Sequence, residues 1–448
     1  MEAIILTKEL VKPSMPTPPH LRNHKLCLFD QLTPAVCITP IFFYKNNTTA
    51  NFFDNHLKTS LSKTLTLFYP LAGALSSEEP TFVDCNDNGV LYVEAHVKNV
   101  SLDEFLQDPE LPQLINFLPQ NSSLSSTMNY VQNLETPVSI QVTRFNCGGI
   151  AIGGVFYHKL LDGVSMGIFF DTWAKIARGG DNGVEETCLD FTSLSLLFPT
   201  LNRANELLET KNMMIFDEGK SIVRRFVFSA RAIEAIKVKG STESVPNPTR
   251  VEALTAFIWK HMILATRAVN GISSRPFMVS HAVNLRSRFD PQLPNAIGNL
   301  VSRTNSGFRE IISEVVELPQ LMEIVREMFE KMNKGNLLKA VGGDNVLDGL
   351  VAFGTQFEKL LPHTCKFSSW CNFGFYDVDF GWGKPVFFAP FIDTIGSSNK
   401  QQIILVESGK CGGIEAWILR NNEEMIELEN DEEFLAFASP NPNVQYAP

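Results

Sequence analysis

The chain has 448 residues, of which 44% are hydrophobic and 19% charged, a composition typical of a folded globular protein. This length is long for one hydrophobic core, so two domains are expected. The net charge of −11 and the lack of any block of Lys or Arg argue against nucleic acid as a partner.

The first residues and the cysteines bear on the cellular compartment. The stretch MEAIILTKELVKPS (residues 1–14) has a short apolar run broken by charged residues, which indicates neither a signal peptide nor a transmembrane span. The eight cysteines show no C-x-x-C spacing, a pattern typical of a reducing compartment. The sequence therefore predicts a cytoplasmic protein with no membrane partner and no metal site.

Residues 1–180 mix helical and strand patterns. A helical pattern covers residues 52–73, and short strands are predicted at 89–97 and 137–145. Residues 149–157, GIAIGGVFY, form an apolar run that favours a buried strand. Apolar residues then recur at helical spacing up to a stop at Gly179-Gly180, namely Met166, Phe169, Trp173 and Ile176.

The periodicity is lost in residues 181–221, which predicts a crossover between two lobes because such long loops are uncommon inside a compact domain. Regular patterns return from residue 222, with a long helical stretch at 250–269. The sequence predicts an α/β fold with an N-terminal lobe of residues 1–180 and a C-terminal lobe of residues 222–448.

Two catalytic patterns overlap in FYHKLLDGVSMGIFF, residues 156–170. His158 and Asp162 stand four residues apart, which suits a general base held on a turn. Residues 163–167, GVSMG, match the G-x-S-x-G pattern of a serine-hydrolase nucleophile elbow around Ser165. A chain of this length contains roughly 0.1–0.2 G-x-S-x-G and about 0.4 His-x-x-x-Asp matches by chance, so neither pattern decides the function alone.

The predicted strand favours His158 over Ser165. A nucleophile elbow requires the strand to run directly into the first glycine, but HKLLD separates the strand from Gly163. Ser165 is therefore predicted in the first turn of a helix, with Asp162 or Gly163 near the N-cap. His158 falls at the carboxyl end of the strand, where α/β folds usually place their chemistry; a hydrogen-bonded core histidine is the structural alternative.

A second motif, DFGWG at residues 379–383, is compositionally rare, with a chance expectation on the order of 10⁻⁴. Its structural interpretation is a tight turn permitted by glycine, with a packed tryptophan. The DFG within it is not a kinase magnesium motif, because no H-R-D loop or glycine-rich phosphate loop precedes it.

With His-x-x-x-Asp-Gly near the middle and DFGWG near the end, the chain resembles the plant BAHD acyltransferases. The resemblance covers nearly the whole chain and includes LFDQL (28–32), LSKTLTLFYPLAG (61–73), VDCNDNGVLYVEA (83–95) and AVNLRSR (282–288). Within the family, the chain is similar to alkaloid O-acetyltransferases in FNCGGIAIGG (145–154), IWKH (258–261) and GFYDVDFGWGKP (374–385). Ala74 departs from the pattern, since the family usually has Arg after LAG.

The resemblance implies two chloramphenicol-acetyltransferase-like α/β lobes, with mixed β-sheets flanked by helices. A channel between the lobes would reach His158 from both sides, and residues around 365–390 would cross back to the first lobe. The implied reaction is direct transfer of an acyl group from a coenzyme A thioester to a hydroxyl or amine. Acetyl-CoA would be the co-substrate, with no permanently bound cofactor, and the enzyme would act as a monomer.

The resemblance also implies roles for individual residues. His158 would be the general base, and Ser368 and Trp370 are candidates for stabilising the oxyanion. Asp162 would pair with Arg286 or Arg288 and so tie the lobes together. The remaining implied positions are the structural motif Asp379, Gly381, Trp382 and Gly383, and a coenzyme A phosphate contact at Arg250.

The acceptor is expected to be a bulky alcohol, with an alkaloid favoured. A malonyl donor is not favoured, because Lys159 is the only cation close to His158 in sequence. Two alternatives stay open: a serine esterase that uses Ser165, and a non-catalytic relative that binds ligands.

Overall fold

A computed structural model describes residues 1–45, 53–75, 81–119, 136–179, 188–201, 221–271, 275–332, 345–360, 362–392, 401–409 and 412–444. The strands of the first half are β1 Ile4–Val11, β2 Asn23–Lys25, β3 Cys37–Ile38, β4 Pro40–Tyr44, β5 Ala74–Leu75, β6 Phe82–Asp84, β7 Val90–Val97, β8 Val138–Phe145 and β9 Ile150–Tyr157. Its α-helices are α1 Leu28–Leu32, α2 Phe53–Leu67, α3 Leu102–Gln107 and α4 Gly163–Ala177. Short 3₁₀ helices lie at Pro19–Leu21, Tyr69–Ala72 and Leu111–Phe117.

The second half has the same mixed character. Its strands are β10 Ser221–Phe228, β11 Phe277–Asn284, β12 Val301–Asn305, β13 His363–Ser369, β14 Phe387–Pro390, β15 Gln402–Glu407, β16 Ile414–Asn421 and β17 Ser439–Pro440. Its α-helices are α5 Ser193–Leu197, α6 Ala230–Gly240, α7 Arg250–Asn270, α8 Leu318–Glu330, α9 Asn345–Leu360, α10 Asn422–Glu429 and α11 Glu432–Leu435. Two 3₁₀ helices lie at Arg286–Arg288 and Phe375–Asp377.

The strands form two large mixed sheets and one small sheet, which confirms the predicted α/β fold of two lobes. The first sheet has the order β1-β7-β8-β9-β4-β14, with β3 paired to β9. The second sheet has the order β12-β11-β13-β15-β16-β10-β17, and the small sheet has the order β2-β6-β5. In the described part of the chain, no helix is both long and apolar enough to cross a bilayer.

The predicted strands at 89–97, 137–145 and 149–157 are confirmed as β7, β8 and β9, and the helices at 166–176 and 250–269 as parts of α4 and α7. The helix predicted over 52–73 ends at Leu67, and Tyr69–Ala72 forms a 3₁₀ turn instead. Pro70 explains the difference, because proline lacks an N–H and its ring collides with the preceding helical turn. The predicted crossover at 181–221 lies mostly outside the described residues.

Strand β14 crosses between the lobes. It comes from the second half of the chain but pairs with β4 of the first sheet, with Phe387 opposite Phe43. The expected return of residues around 365–390 to the first lobe is therefore present. The predicted range of the C-terminal lobe, 222–448, thus contains a segment that packs in the other lobe.

The two faces of the second sheet have different neighbours. One face, which includes Val279, Phe367 and Ile403, packs in a hydrophobic cluster with helices α7 and α8. On the opposite face, Ile404 and Trp417 join the hydrophobic cluster of the first lobe. Because side chains alternate between the faces of a strand, this pattern assigns one face of the second sheet to the boundary between the lobes.

Candidate active site

His158 lies immediately after β9, a central strand of the first sheet whose residues are all buried. Its main-chain N–H donates to the carbonyl of Val36 at 2.9 Å. Its ring atom Nδ1 lies 3.1 Å from the carbonyl oxygen of Leu161. Because a carbonyl can only accept, the neutral ring carries its proton on Nδ1 and its lone pair on Nε2. The nitrogen able to take a proton is therefore Nε2.

The surroundings of His158 keep the ring neutral. Burial lowers the pKa of the imidazole below its ordinary value, and this effect outweighs the opposing effects of the Asp162 charge and of hydrogen bonds to Leu161 and Asn299. The side chain still has accessible surface. At neutral pH, the ring is therefore uncharged, and the residue is partly accessible.

Asp162 joins the two lobes through an ion pair with Arg286. Both of its carboxylate oxygens accept from Arg286, at 2.7 Å from Nη1 and 3.1 Å from Nη2. The carboxylate also accepts from the main-chain N–H groups of Ser165 at 2.9 Å and Leu300 at 3.0 Å. Burial opposes ionisation, but the Arg286 charge and these hydrogen bonds hold the pKa of Asp162 below its usual range. Asp162 is therefore an ionised structural partner, not a proton carrier.

Arg288, the other predicted partner of Asp162, does not contact it. Its Nη1 donates instead to the carbonyl of Met332 at 3.0 Å. The two arginines lie two positions apart in the 3₁₀ helix Arg286–Arg288, so their side chains leave the helix in different directions. The geometry assigns the ion pair to Arg286.

Ser165 is buried in the first turn of α4, with Asp162 as the N-cap, which confirms the helical interpretation. Its hydroxyl donates to the carbonyl of Gly298 at 2.9 Å. The same oxygen accepts from Arg286 Nη2 at 3.0 Å and from the N–H of Gly298 at 3.2 Å. The proton and the lone pairs of this hydroxyl are therefore all used in hydrogen bonds between the lobes. Ser165 has no adjacent base to activate it as a nucleophile.

The two glycines of GVSMG allow a close approach by Phe373. A Cβ atom at Gly163 would lie 2.7 Å from Cε2 of Phe373, and one at Gly167 would lie 2.5 Å from its carbonyl oxygen. Both distances are too short for a side chain to be tolerated without a shift. The G-x-S-x-G spacing is thus explained by packing of the 371–374 loop on α4 and by the Ser165 contact.

Ser368 and Trp370 lie where the chain leaves the second sheet for the first lobe. Ser368 is in β13, opposite Ala282 on one side and Ile404 on the other. The Trp370 ring is 6.0 Å from that of Phe375 and 6.2 Å from that of Phe388, both in the first-lobe core. The chain then reaches α4 at Phe373, so this segment comes close to the helix that begins five residues after His158.

The DFGWG segment is a closed turn in the first lobe. The Asp379 carboxylate accepts from the N–H groups of Gly381 at 2.8 Å and Gly383 at 2.9 Å. Both glycines have a positive φ, +108° and +109°, a backbone conformation that residues with a side chain rarely adopt. The centroid of the Phe380 ring lies 4.8 Å from that of Trp173 and 5.4 Å from that of Trp382. The motif thus shapes the path of the chain towards β14.

Arg250 begins helix α7 and is partly exposed. Its Nη1 donates to the carbonyl of Gly412 at 3.0 Å, and its Nη2 lies 3.5 Å from a carboxylate oxygen of Glu407. Lys159, the cation next to His158, points away and donates to the carbonyl of Gln31 at 2.9 Å. In the described residues, no group of three or more His, Cys, Asp or Glu side chains could hold a metal ion.

Asn299, which the sequence did not predict to be part of the site, forms hydrogen bonds with His158 and Asp30. Its Nδ2 donates to the carbonyl of His158 at 2.7 Å and to the Asp30 carboxylate at 2.9 Å. Its main-chain N–H donates to the same Asp30 oxygen at 2.8 Å. Asp30 belongs to LFDQL, a stretch noted in the sequence without a role. The chain around Asn299, AIGNL, has no signal beyond the turn tendency of Gly-Asn.

Comparisons with known proteins agree with this geometry. A family model described as the Transferase family matches residues 2–435. Akuammiline synthase 2 of Alstonia scholaris is 38% identical, covering 99% of this chain and 98% of that protein. A limonoid 7-O-acetyltransferase of Citrus sinensis is 35% identical, covering 99% of both chains. A crystal structure of vinorine synthase superimposes with a TM-score of 0.81 at 31% identity, covering 98% of this chain and 99% of that one.

Proposed function

The chain belongs to the BAHD acyltransferases of the Transferase family, and on that premise we propose that it acetylates a hydroxyl group of a plant specialised metabolite with acetyl-CoA. The observation that carries the proposal is the Nε2 lone pair of His158, held by the Nδ1–Leu161 contact at the end of β9. O-acetylation recurs in the names of its relatives, which act on alkaloids and limonoids. An alkaloid is the favoured acceptor.

The proposed first step uses His158 as a general base. A neutral alcohol is a poor nucleophile, and Nε2 takes its proton as the oxygen attacks the thioester carbonyl. General-base assistance of this kind contributes roughly 10²–10⁴ in rate. When the tetrahedral intermediate collapses, the C–S bond breaks and the protonated Nε2 returns the proton to the departing coenzyme A thiolate. No acyl-enzyme is formed.

The negative charge of the intermediate needs a donor at the carbonyl oxygen. We assign this role to the Ser368 hydroxyl and the Trp370 indole N–H, because both are partly accessible and lie on the segment that reaches α4. Removing one such donor typically costs about 10²–10³ in kcat. Arg250 stays the candidate contact for a coenzyme A phosphate, in competition with Glu407.

Cytoplasmic location, a monomeric state and the two-lobe boundaries at 180 and 222 remain predictions from the sequence. A substrate channel between the lobes belongs to the proposal, supported by the position of His158 at their boundary. Asp162 has a structural role in this mechanism, since its carboxylate faces Arg286.

The donor is tested by competition. The purified chain is given equal acetyl-, malonyl- and coumaroyl-CoA with a panel of alkaloid and terpenoid alcohols, and the ester products are identified by mass spectrometry. We expect acetyl esters, with one coenzyme A released per ester. A preference for either other donor would reject acetyl transfer while leaving the acyltransferase family untouched.

The general base is tested with His158→Ala, with the same change at the exposed His20 as control. His158→Ala should lose at least about 100-fold in kcat while its melting temperature and coenzyme A binding stay close to wild type. His20→Ala should keep full activity. If His158→Ala keeps more than about a tenth of wild-type turnover, the base is a different group.

The serine esterase alternative has no support from the geometry of Ser165, and a fluorophosphonate probe offers a direct test. No covalent labelling of Ser165 is expected. The non-catalytic alternative predicts that no acyl-CoA is turned over with any acceptor in the panel.

A further inference from the structure

Asn299 is buried where the two lobes meet, two residues before strand β12. Its Nδ2 donates to the Asp30 carboxylate at 2.9 Å and to the main-chain carbonyl of His158 at 2.7 Å. A side-chain amide has two N–H donors, so this nitrogen has no further donor to offer. The nitrogen end of the Asn299 amide is therefore fixed to two acceptors of the first lobe.

These acceptors also decide which way the amide faces. Oδ1 of Asp30 accepts from the main-chain N–H of Asn299 at 2.8 Å, and its other carboxylate oxygen accepts from the N–H of Cys27 at 2.8 Å. A carbonyl can only accept, so turning the Asn299 amide over would place its oxygen against the His158 carbonyl oxygen and would remove both hydrogen bonds of Nδ2. The amide therefore has a single favourable orientation.

The oxygen end of the same amide has no comparable partner. Oδ1 of Asn299 is buried, and no described group donates to it in a hydrogen bond of regular geometry. The Asn299 side chain nevertheless lies close enough to the His158 imidazole to raise its pKa. A buried acceptor without a donor is unfavourable, and a positive charge that forms beside it removes that cost. Oδ1 is therefore available to the protonated imidazole ring.

Few charged side chains can stabilise a protonated His158. The Asp162 charge favours the protonated ring, but both of its oxygens accept from Arg286. Lys159, the next residue in the chain, donates to a main-chain carbonyl of α1. The Asp30 carboxylate contacts the nitrogen end of the amide. The carboxylate nearest to the ring is thus shared with an arginine.

The other elements around the ring add no charge. Segment 368–373, which reaches α4 from the second lobe, has the Cys371 thiol as its titratable group, and burial raises the pKa of that thiol to about 11. The Cys27 thiol also stays neutral, because burial raises its pKa. Besides the shared carboxylate, the acceptors near the ring are main-chain carbonyls such as that of Leu161 and the amide oxygen of Asn299.

We propose that Asn299, oriented by Asp30, is a positioning residue for the general base His158. The inference rests on the proposed function. As the hydroxyl oxygen attacks the thioester, Nε2 takes its proton, Nδ1 keeps its own, and the ring becomes positively charged. Oδ1 of Asn299 stabilises this charge, and Nδ2 holds the main chain that carries the ring. The charge disappears when Nε2 returns the proton to the thiolate, so Asn299 itself neither gains nor loses a proton and acts only on the charged stage.

Asn299→Leu tests this role. Leucine has the same branching at Cγ and a similar size, so it removes both polar atoms and leaves little space for water. We expect kcat to fall about 10- to 100-fold, as for the loss of a hydrogen bond to a charged group, while KM for acetyl-CoA changes less than threefold. The acidic limb of kcat/KM against pH should move to lower pH, because an effect that raises the pKa of His158 is lost. A residue that only supported the fold would lower activity without moving this limb.

Asn441→Leu is the matched control. Oδ1 of Asn441 is also buried without a donor among the described residues, and its Nδ2 donates to the carbonyl of Pro109 in the first lobe at 3.4 Å. Asn441 directly follows β17, at the opposite edge of the second sheet from β12. Asn441→Leu should lower the melting temperature but leave kcat and the acidic limb unchanged.

A titration followed by ¹⁵N NMR of labelled histidines measures the pKa of His158 without any substrate. The resonances of this ring are assigned by their absence from the spectrum of His158→Ala. A lower pKa in Asn299→Leu than in the wild type supports the proposal, whereas an unchanged or higher pKa overturns it even if activity is lost.

Asp30→Asn provides a second variant in case Asn299→Leu does not fold. It keeps the size of the side chain but removes the acceptor that orients the amide, so the pKa of His158 should also fall. An unchanged pKa in this variant would overturn the proposal as well. If the wild type transfers no acyl group, the proposed function fails, and the titration still decides whether Asn299 acts on the His158 ring.

Discussion

His158 and His281 show how the same side-chain contact supports different roles. In both, Nδ1 contacts a main-chain carbonyl, at 3.1 Å from Leu161 and 2.8 Å from Ala282. His281 is fully buried between Phe329 and Phe367 on the helical side of the second sheet, and burial lowers its pKa to about 4. His158 lies at a strand end with accessible surface. Access to Nε2, and not the hydrogen bond at Nδ1, therefore distinguishes the proposed base His158 from the core histidine His281, whose Nε2 is buried.

The direction of the His158 pKa gives a pH prediction. In the proposed mechanism the neutral ring is the active form, and burial lowers its pKa below 6.5, so activity should persist below pH 6.5 and fall only as the ring becomes protonated at lower pH. In a plot of kcat/KM against pH with a neutral acceptor, the acidic limb should have its midpoint below 6.5. A midpoint at or above pH 7 would contradict burial as the dominant effect and would indicate a different base.

At the residue scale, the sequence predicted those positions that depend only on neighbouring residues in the chain. The position of His158 after a strand, and of Ser165 in a helical turn, follows from local pattern and is confirmed. Asn299 and the choice of Arg286 over Arg288 could not be predicted in this way. Both depend on contacts between residues more than 120 positions apart, which no local periodicity encodes.

At the element scale, GVSMG and DFGWG both shape the backbone around the site. In one, small residues let the 371–374 loop approach α4; in the other, the Asp379 carboxylate holds two glycine N–H groups. The glycines and the aspartate of DFGWG could be interpreted as a turn from sequence alone. That the turn leads into a strand of the first sheet was available only from the family resemblance.

Ser165→Ala tests whether GVSMG is structural. The change leaves the Gly298 N–H without its acceptor and removes one of the several acceptors of Arg286 Nη2, which should cost about 1–3 kcal/mol of unfolding free energy. In the folded protein, kcat/KM should stay within about threefold of wild type, because the hydroxyl does not act in the proposed transfer. Denaturant unfolding and steady-state kinetics provide the two readouts.

Ser244→Ala, at an exposed serine, is the control for that experiment and should change neither readout. A loss of kcat as severe as that of His158→Ala, with unfolding free energy unchanged, would revive the serine esterase.

At the scale of the whole molecule, the site exists only where the lobes meet. The proposed base, His158, follows a strand of the first sheet, while Arg286 and Asn299 come from the second lobe. The chain also crosses from the second lobe to the first, where β14 pairs with β4. Helix α1 of the first lobe places Asp30 within hydrogen-bonding distance of Asn299. Because these contacts converge around residues 158–165, the orientation of the lobes and the position of His158 are set by the same interactions.

The Asp162–Arg286 pair should therefore affect stability first and activity through it. Asp162→Ala leaves a buried guanidinium without its carboxylate, and breaking a buried pair in this way typically costs about 3–5 kcal/mol. Arg286→Met should cost a similar amount, because it leaves the Asp162 charge buried. The double variant should cost clearly less than the sum of the two, since it leaves neither charge stranded.

Urea unfolding of all four proteins measures this coupling, and kcat is compared at a temperature where each is folded. If Asp162→Ala has an unchanged melting temperature and no activity, Asp162 acts in the chemistry; if the costs are additive, the pair does not tie the lobes together.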